Sequence, residues 1–354
     1  MNASRVWVLV CVLVGLLVIT TDAVNIETVT VGNPGNAMDT RYPHGGVPGF
    51  GGVAYKYNIG KYEVTAGQYC EFLNSVAKID MYGLYSQYMD YDVYAPSKGC
   101  NIKRSGTLGN YCYNVAADWA NRPVNFVSWG DAARFANWLH NGQGNGDTED
   151  GAYNLAGTHP YYNPDGSIND LSGLSAALLA VNREANWKWA ITSEDEWYKA
   201  AYHKNDGVTG NYWDYPTSSD IAPSNDLDGG GNNATYYDYY ETGNGDYTIG
   251  SPYYRIEVGA HENSDGPYST FDQGGNVWEW TEAVLYDVSR GLRGGSFEGW
   301  VEGLSASIRG DNCIPIGEYN SYGFRVCEVP EPCMMLTFAA GVPMLLKHKR
   351  RSRR

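Results

Sequence analysis

Three stretches of the chain repeat apolar residues at helical spacing directly behind a capping box, in which a Ser or Thr caps the first turn and the side chain three residues on bonds back. Thr65 with Gln68 precedes Tyr69, Phe72, Leu73 and Val76. Ser128 with Asp131 precedes Ala132, Phe135, Ala136 and Leu139. Ser193 with Glu196 precedes Trp197, Ala200 and Ala201. Each pattern predicts a helix with one apolar stripe facing a core. The acids Glu194, Asp195 and Glu196 fall in the first turn of the third helix, where carboxylates complement the helix dipole. Short β-rich runs at 55–64, 187–191 and 321–326 are bounded by Gly, Asn and Asp clusters and predict strands. Residues 205–250, dense in Gly, Asn, Asp and Tyr, predict a long loop that is functional or pinned by ions. Few short elements between long connections imply a loop-rich domain rather than a helical bundle.

Composition narrows this to one aromatic-packed globule. Forty-three glycines, thirty tyrosines and eleven tryptophans are spread without a low-complexity block, and no linker interrupts 24–328. The ends differ. Arg5 and an apolar run at 6–19, then small and polar residues to Ala23, predict a secretory signal over 1–23. At the far end Pro330, Glu331 and Pro332 precede an apolar stretch at 333–346 and six basic residues. That order resembles the PEP-CTERM sorting signal of exported bacterial proteins. It implies transient membrane contact, processing by an exosortase-type protease, and delivery to the cell surface or matrix. Loss of 329–354, with six basic residues and one acid, moves the formal charge from −15 to −20. Nucleic acid is excluded as a partner by that charge. Five cysteines remain in 24–328. Cys100 with Cys112, around a hairpin-like stretch, is the first candidate disulfide, Cys313 with Cys327 the second, and Cys70 a buried free thiol.

The run from Gly275 to Trp280 joins a glycine, a carboxylate and two indoles. Such a turn either caps the core around a buried, hydrogen-bonded Glu279 or gathers carbonyl and carboxylate oxygens around a hard cation such as calcium.

This run belongs to an ordered series: Lys61 to Thr65, Arg122 to Trp129, Trp189 to Trp197, Gly275 to Trp280, Leu292 to Phe297 and Gly323 to Val326. In that order the motifs resemble the sulfatase-modifying factor family, whose founding activity is the formylglycine-generating enzyme. The resemblance implies a single α+β domain distantly akin to C-type lectins. It also implies calcium held by Asp272, the Gly275 and Val277 carbonyls and Glu279, and a second site near Asn233 and Ala234, with Asp246. In the enzyme, a cysteine pair after the Gly-Gly-Ser motif binds copper, a soft-ligand match. The matching positions here are Gly299 and Leu304, so copper is not expected. The leading expectation is a catalytically silent, calcium-stabilised domain that binds a peptide or glycan. Its rivals are an oxidase rearranged around Cys313 and Cys327, and a structural matrix protein.

Overall fold

The computed structural model describes residues 23–92, 98–227, 230–240 and 246–329. Almost all of the signal segment and the sorting residues Pro330, Glu331 and Pro332 lie outside them. All three capping boxes close. Helix α1 (Ala66–Val76) is capped by Thr65, whose Oγ1 accepts from Gln68 N while Gln68 Oε1 accepts from Thr65 N. Beyond the short α2 (Ala117–Ala120), helix α3 (Trp129–His140) is capped by Ser128 and Asp131. Helix α5 (Glu194–Tyr202) is capped by Ser193 and Glu196. Two of these boxes bury their acid, because α3 is buried along all but its last residue and Glu196 is fully covered. Helix α4 (Leu171–Ala180) was not foreseen. Its cap is Asp170, which accepts from Gly173 N at 2.9 Å, and its mostly apolar sequence, broken by Ser172 and Ser175, shows no helical stripe.

Four strands form the main antiparallel sheet: β1 (Thr28–Val31), β2 (Tyr57–Gly60), β11 (Val326–Glu328) and β5 (Trp189–Ile191), in that spatial order. Cys327 faces Ile59 on one side and Ala190 on the other. A second sheet sets β8 (Trp278–Leu285) between β9 (Ser289–Arg293) and the short parallel β10 (Tyr322–Gly323). The expected strand at 321–326 is thus two strands in two sheets, because the chain crosses between them at Phe324 and Arg325. Pairs β3 (Ile102–Ser105) with β4 (Cys112–Val115), and β6 (Tyr237–Asp238) with β7 (Asp246–Tyr247), complete the ladders. The interior is aromatic: Phe72, Phe135, Trp138 and Phe324 interlock with neighbouring ring centroids 5.3–5.6 Å apart.

Neither candidate disulfide forms, and the five cysteines among the described residues are all free thiols. Register explains the first. In the β3–β4 hairpin Cys112 faces Ser105, five residues beyond Cys100, and at about 3.4 Å per residue that exceeds the ~7 Å a disulfide spans. Cys313 lies 3.2 Å from Tyr322 Oη, whereas Cys327 sits inside the main sheet with its Sγ 3.5 Å from Glu196 Oε2, so the second pair is also divided.

Candidate functional site

Gly275 has φ +87°, and a Cβ there would lie 2.0 Å from the Thr235 carbonyl oxygen. Only glycine fits. Asn276 follows with φ +55°, donates to Glu63 Oε2 at 3.0 Å, and accepts from Ile256 N at 3.1 Å. The turn therefore delivers the chain into β8 with Glu279 pointing inward. Glu279 Oε2 accepts from Trp197 Nε1 and Arg325 Nε, both at 2.7 Å, and Oε1 accepts from Arg325 Nη2 at 2.8 Å. Arg325 also donates to the carbonyls of Gly60, Lys61 and Phe271. Both partners are buried, and every kind of guanidinium nitrogen has an acceptor. Trp280 is buried beneath the turn and donates to the Val127 carbonyl at 2.9 Å, while Trp278 is half-buried.

Of the four residues expected around calcium, Glu279 is thus clamped by Arg325 and Trp197 in the buried, hydrogen-bonded role. Around it the acids outnumber the bases. Glu63, Asp272 and Glu279 act on one another electrostatically against the guanidinium of Arg325, with Arg255 also feeling the Glu63 charge. Burial, reinforced by the Asp272 and Glu279 charges, pushes the Glu63 carboxyl well up. Burial also pushes Asp272 up to about 6, against the opposing pull of the Gly259 N–H and Arg325. An all-oxygen set in which three carboxylates face two guanidinium groups suits a hard dication. Among the described residues no three His, Cys, Asp or Glu side chains converge as a metal shell. An ion here would lean on Asp272 and the Gly275 and Val277 carbonyls. At the second expected position, Asn233 is buried and its Oδ1 has no hydrogen-bond partner, which leaves an oxygen for a cation. Ala234 beside it is buried, whereas the Asp246 side chain is exposed.

The Gly-Gly-Ser segment follows β9. Gly294 and Gly295 have φ +98° and +75°, and they turn the chain over Trp197 and Leu304. At Gly299 a Cβ would meet nothing closer than 3.5 Å, so space does not demand glycine. Leu304 is fully buried with Ala234 and Tyr236. No thiol stands at either place.

Residues 28–329 match the family model described as sulfatase-modifying factor enzyme 1-like domain. The chain belongs to that family. Among solved structures it is similar to CarF, at 17% identity and TM-score 0.47 over 87% of this chain and 99% of that one. It is also similar to variable protein 1 of Treponema denticola, at 18% identity and TM-score 0.47 over 86% and 95%. For PvdO from Pseudomonas aeruginosa the values are 16% and 0.44 over 86% and 91%. No curated protein matches the sequence.

Within this sulfatase-modifying factor domain the three first-turn acids of α5 do more than complement a dipole. Glu194 binds Arg293 and Arg309, and Asp195 accepts from Gly51 N at 2.8 Å. Glu196 pairs with Arg183 at 2.8 Å; burial opposes its ionisation, but Arg183 and the hydroxyl of Tyr55 hold it below the usual carboxylate range. Sequence reasoning missed Glu63 and Trp197 as partners of the turn and Arg325 as the counter-ion of Glu279. All three lie inside motifs it had singled out.

Proposed function

We propose that this chain is an exported member of the family that has lost formylglycine generation and works as a calcium-stabilised binding domain at a bacterial cell surface. The observation that carries the proposal is the chemistry at the two cysteine positions. Gly299 has no side chain, and Leu304 spends its own on the core against Ala234 and Tyr236. A soft copper ion needs thiolates, and Cys313 and Cys327 are engaged separately by Tyr322 and Glu196. Calcium, when bound, supplies positive charge to the acid surplus around Asp272, Glu279 and Glu63. The orphaned Asn233 Oδ1 supports a second ion. Export and exosortase processing rest on the residue order of the two ends.

The mature chain, mixed with a sulfatase-derived peptide, copper and oxygen, is expected to leave the client cysteine unchanged. Aldehyde at that cysteine overturns the loss of activity. A melting temperature indifferent to chelator rejects calcium; a specific site at about a hundredfold excess over its Kd stabilises by roughly 2.7 kcal/mol.

A further inference from the structure

A cavity of about 330 Å³ opens between the 82–88 segment, the start of α3 and the 316–318 loop. It shares no lining residue with the turn around Glu279. Its walls set Tyr82, Tyr85, Tyr88 and Tyr162 around the carboxylates of Asp131 and Glu318.

The charges there do not balance. Arg104, which also reaches the cavity, lies 3.4 Å from buried Asp80, and Arg134 is held by Glu149 at 2.7 and 3.1 Å. The Arg134 charge also acts on Asp131 from that site, so one shared guanidinium faces Glu149 and Asp131, and among the described residues Glu318 has no cation acting on it. Asp131 Oδ2 accepts from Ser128 N at 2.8 Å and Ser128 Oγ at 2.7 Å, while its Oδ1 has no hydrogen-bond partner among the described residues. Glu318 is served by the Ser86 hydroxyl. Burial pushes Asp131 up to about 7 and Glu318 up to about 8, and the Asp131 charge adds to the rise at Glu318. Two carboxylates facing one chamber disfavour joint ionisation, and a cation between them removes that penalty. Tyrosine walls suit an alkyl body, and their ring faces attract an ammonium head. The rings already do this within the protein, where the Arg134 guanidinium stands 4.4 Å from the Tyr82 centroid and Arg104 stands 4.8 Å from that of Tyr85. A bare metal ion fits less well, since no three acids converge here and the chamber is far larger than an ion. Anions are disfavoured by the carboxylate surplus, Asp131 and Glu318 against the shared charge of Arg134.

We propose that this cavity binds an alkylammonium group, the chemistry shared by a lysine side chain and by free amines, with the head between Asp131 and Glu318 and the methylenes against the tyrosines. The assignment stands whether or not the domain retains oxidase activity.

The test is a calorimetric titration of the mature chain with butylammonium and with N-acetyl-lysine methylamide, with butanol and acetate as controls. Both ammonium probes are expected to saturate and both controls to fail. Equal affinities identify free amines as sufficient ligands; a clear preference for the lysine derivative identifies a peptide side chain as the source. Glu318→Gln, which keeps shape and removes charge, is expected to weaken both probes roughly tenfold or more. No saturation by either ammonium, acetate binding as tightly as butylammonium, or undiminished binding by Glu318→Gln overturns the assignment. If that variant does not fold, Tyr88→Ala takes its place: Tyr88 is half-exposed on the cavity wall, and loss of its ring is expected to weaken both probes several-fold. Unchanged binding by it is equally fatal.

Discussion

Arg325→Met isolates the pair at the centre of the fold. The substitution keeps much of the side-chain volume but removes all five guanidinium N–H donors, which now serve Glu279 and the carbonyls of Gly60, Lys61 and Phe271. Glu279 stays fully buried with only Trp197 Nε1 as donor. Breaking a buried pair by deleting one partner costs about 3–5 kcal/mol, because the survivor keeps its desolvation penalty. Against a total stability of about 5–15 kcal/mol that is a large fraction, and the melting temperature should fall by on the order of 10 °C. Adding Glu279→Gln removes the stranded charge and keeps an oxygen for Trp197, so the double variant should regain about half of the loss. Urea unfolding followed by tryptophan fluorescence, run with chelator so that no ion takes the guanidinium's place, measures all three proteins. A loss below about 1 kcal/mol for Arg325→Met, or a double variant weaker than the single, refutes the clamp.

Gly275→Ala forces a Cβ to 2.0 Å from the Thr235 carbonyl at φ +87° and should cost about 3 kcal/mol or more, seen as lost soluble yield or a sharply lower melting temperature. Thiol titration of the denatured mature chain without reductant should count five groups; natively Cys112 should react first, because it is exposed while burial pushes Cys70 up to about 12. A count of three would restore a disulfide. The Glu318 carboxyl lies at about 8 against an ordinary 4.5, so the folded state holds its proton more tightly, and the stability this confers is complete below about pH 4.5 and is lost as pH rises through about 8. Glu318→Gln should therefore flatten the fall in melting temperature between these pH values, and identical profiles for the two proteins would contradict the burial assigned to it.

What the sequence displayed depended on the range of the interaction. The helices at 66, 129 and 194 announce themselves through contacts three residues apart, so their caps were legible to the residue. The turn at Gly275 was legible too, since a glycine before Asn276 and an inward carboxylate are local features. Its partners were not, because Glu63, Trp197 and Arg325 lie 216, 82 and 46 residues from Glu279, and no spacing rule joins them. The disulfide expectations failed for a related reason. Which residue faces Cys112 depends on where the β3–β4 turn falls, and a shift of a few residues separates two thiols that look adjacent. Helix α4 escaped because Leu171 to Ala180 is apolar on nearly every side and offers no periodicity, although only Leu174 and Leu178 are buried. The tyrosine cavity was hidden because its walls come from segments more than two hundred residues apart in the chain.

The position of β11 sets an order of events. This strand is the last of the described chain, yet it lies inside the main sheet, between β2 and β5, and the residue just before it is Arg325. Until residue 328 is available, β2 and β5 have no common neighbour and Glu279 has no guanidinium. Closing these pairings spans 268 residues from Ile59 to Cys327, a long loop to close and a slow step in folding. A chain threaded from its N-terminus would therefore pass almost wholly through any pore before its core could lock.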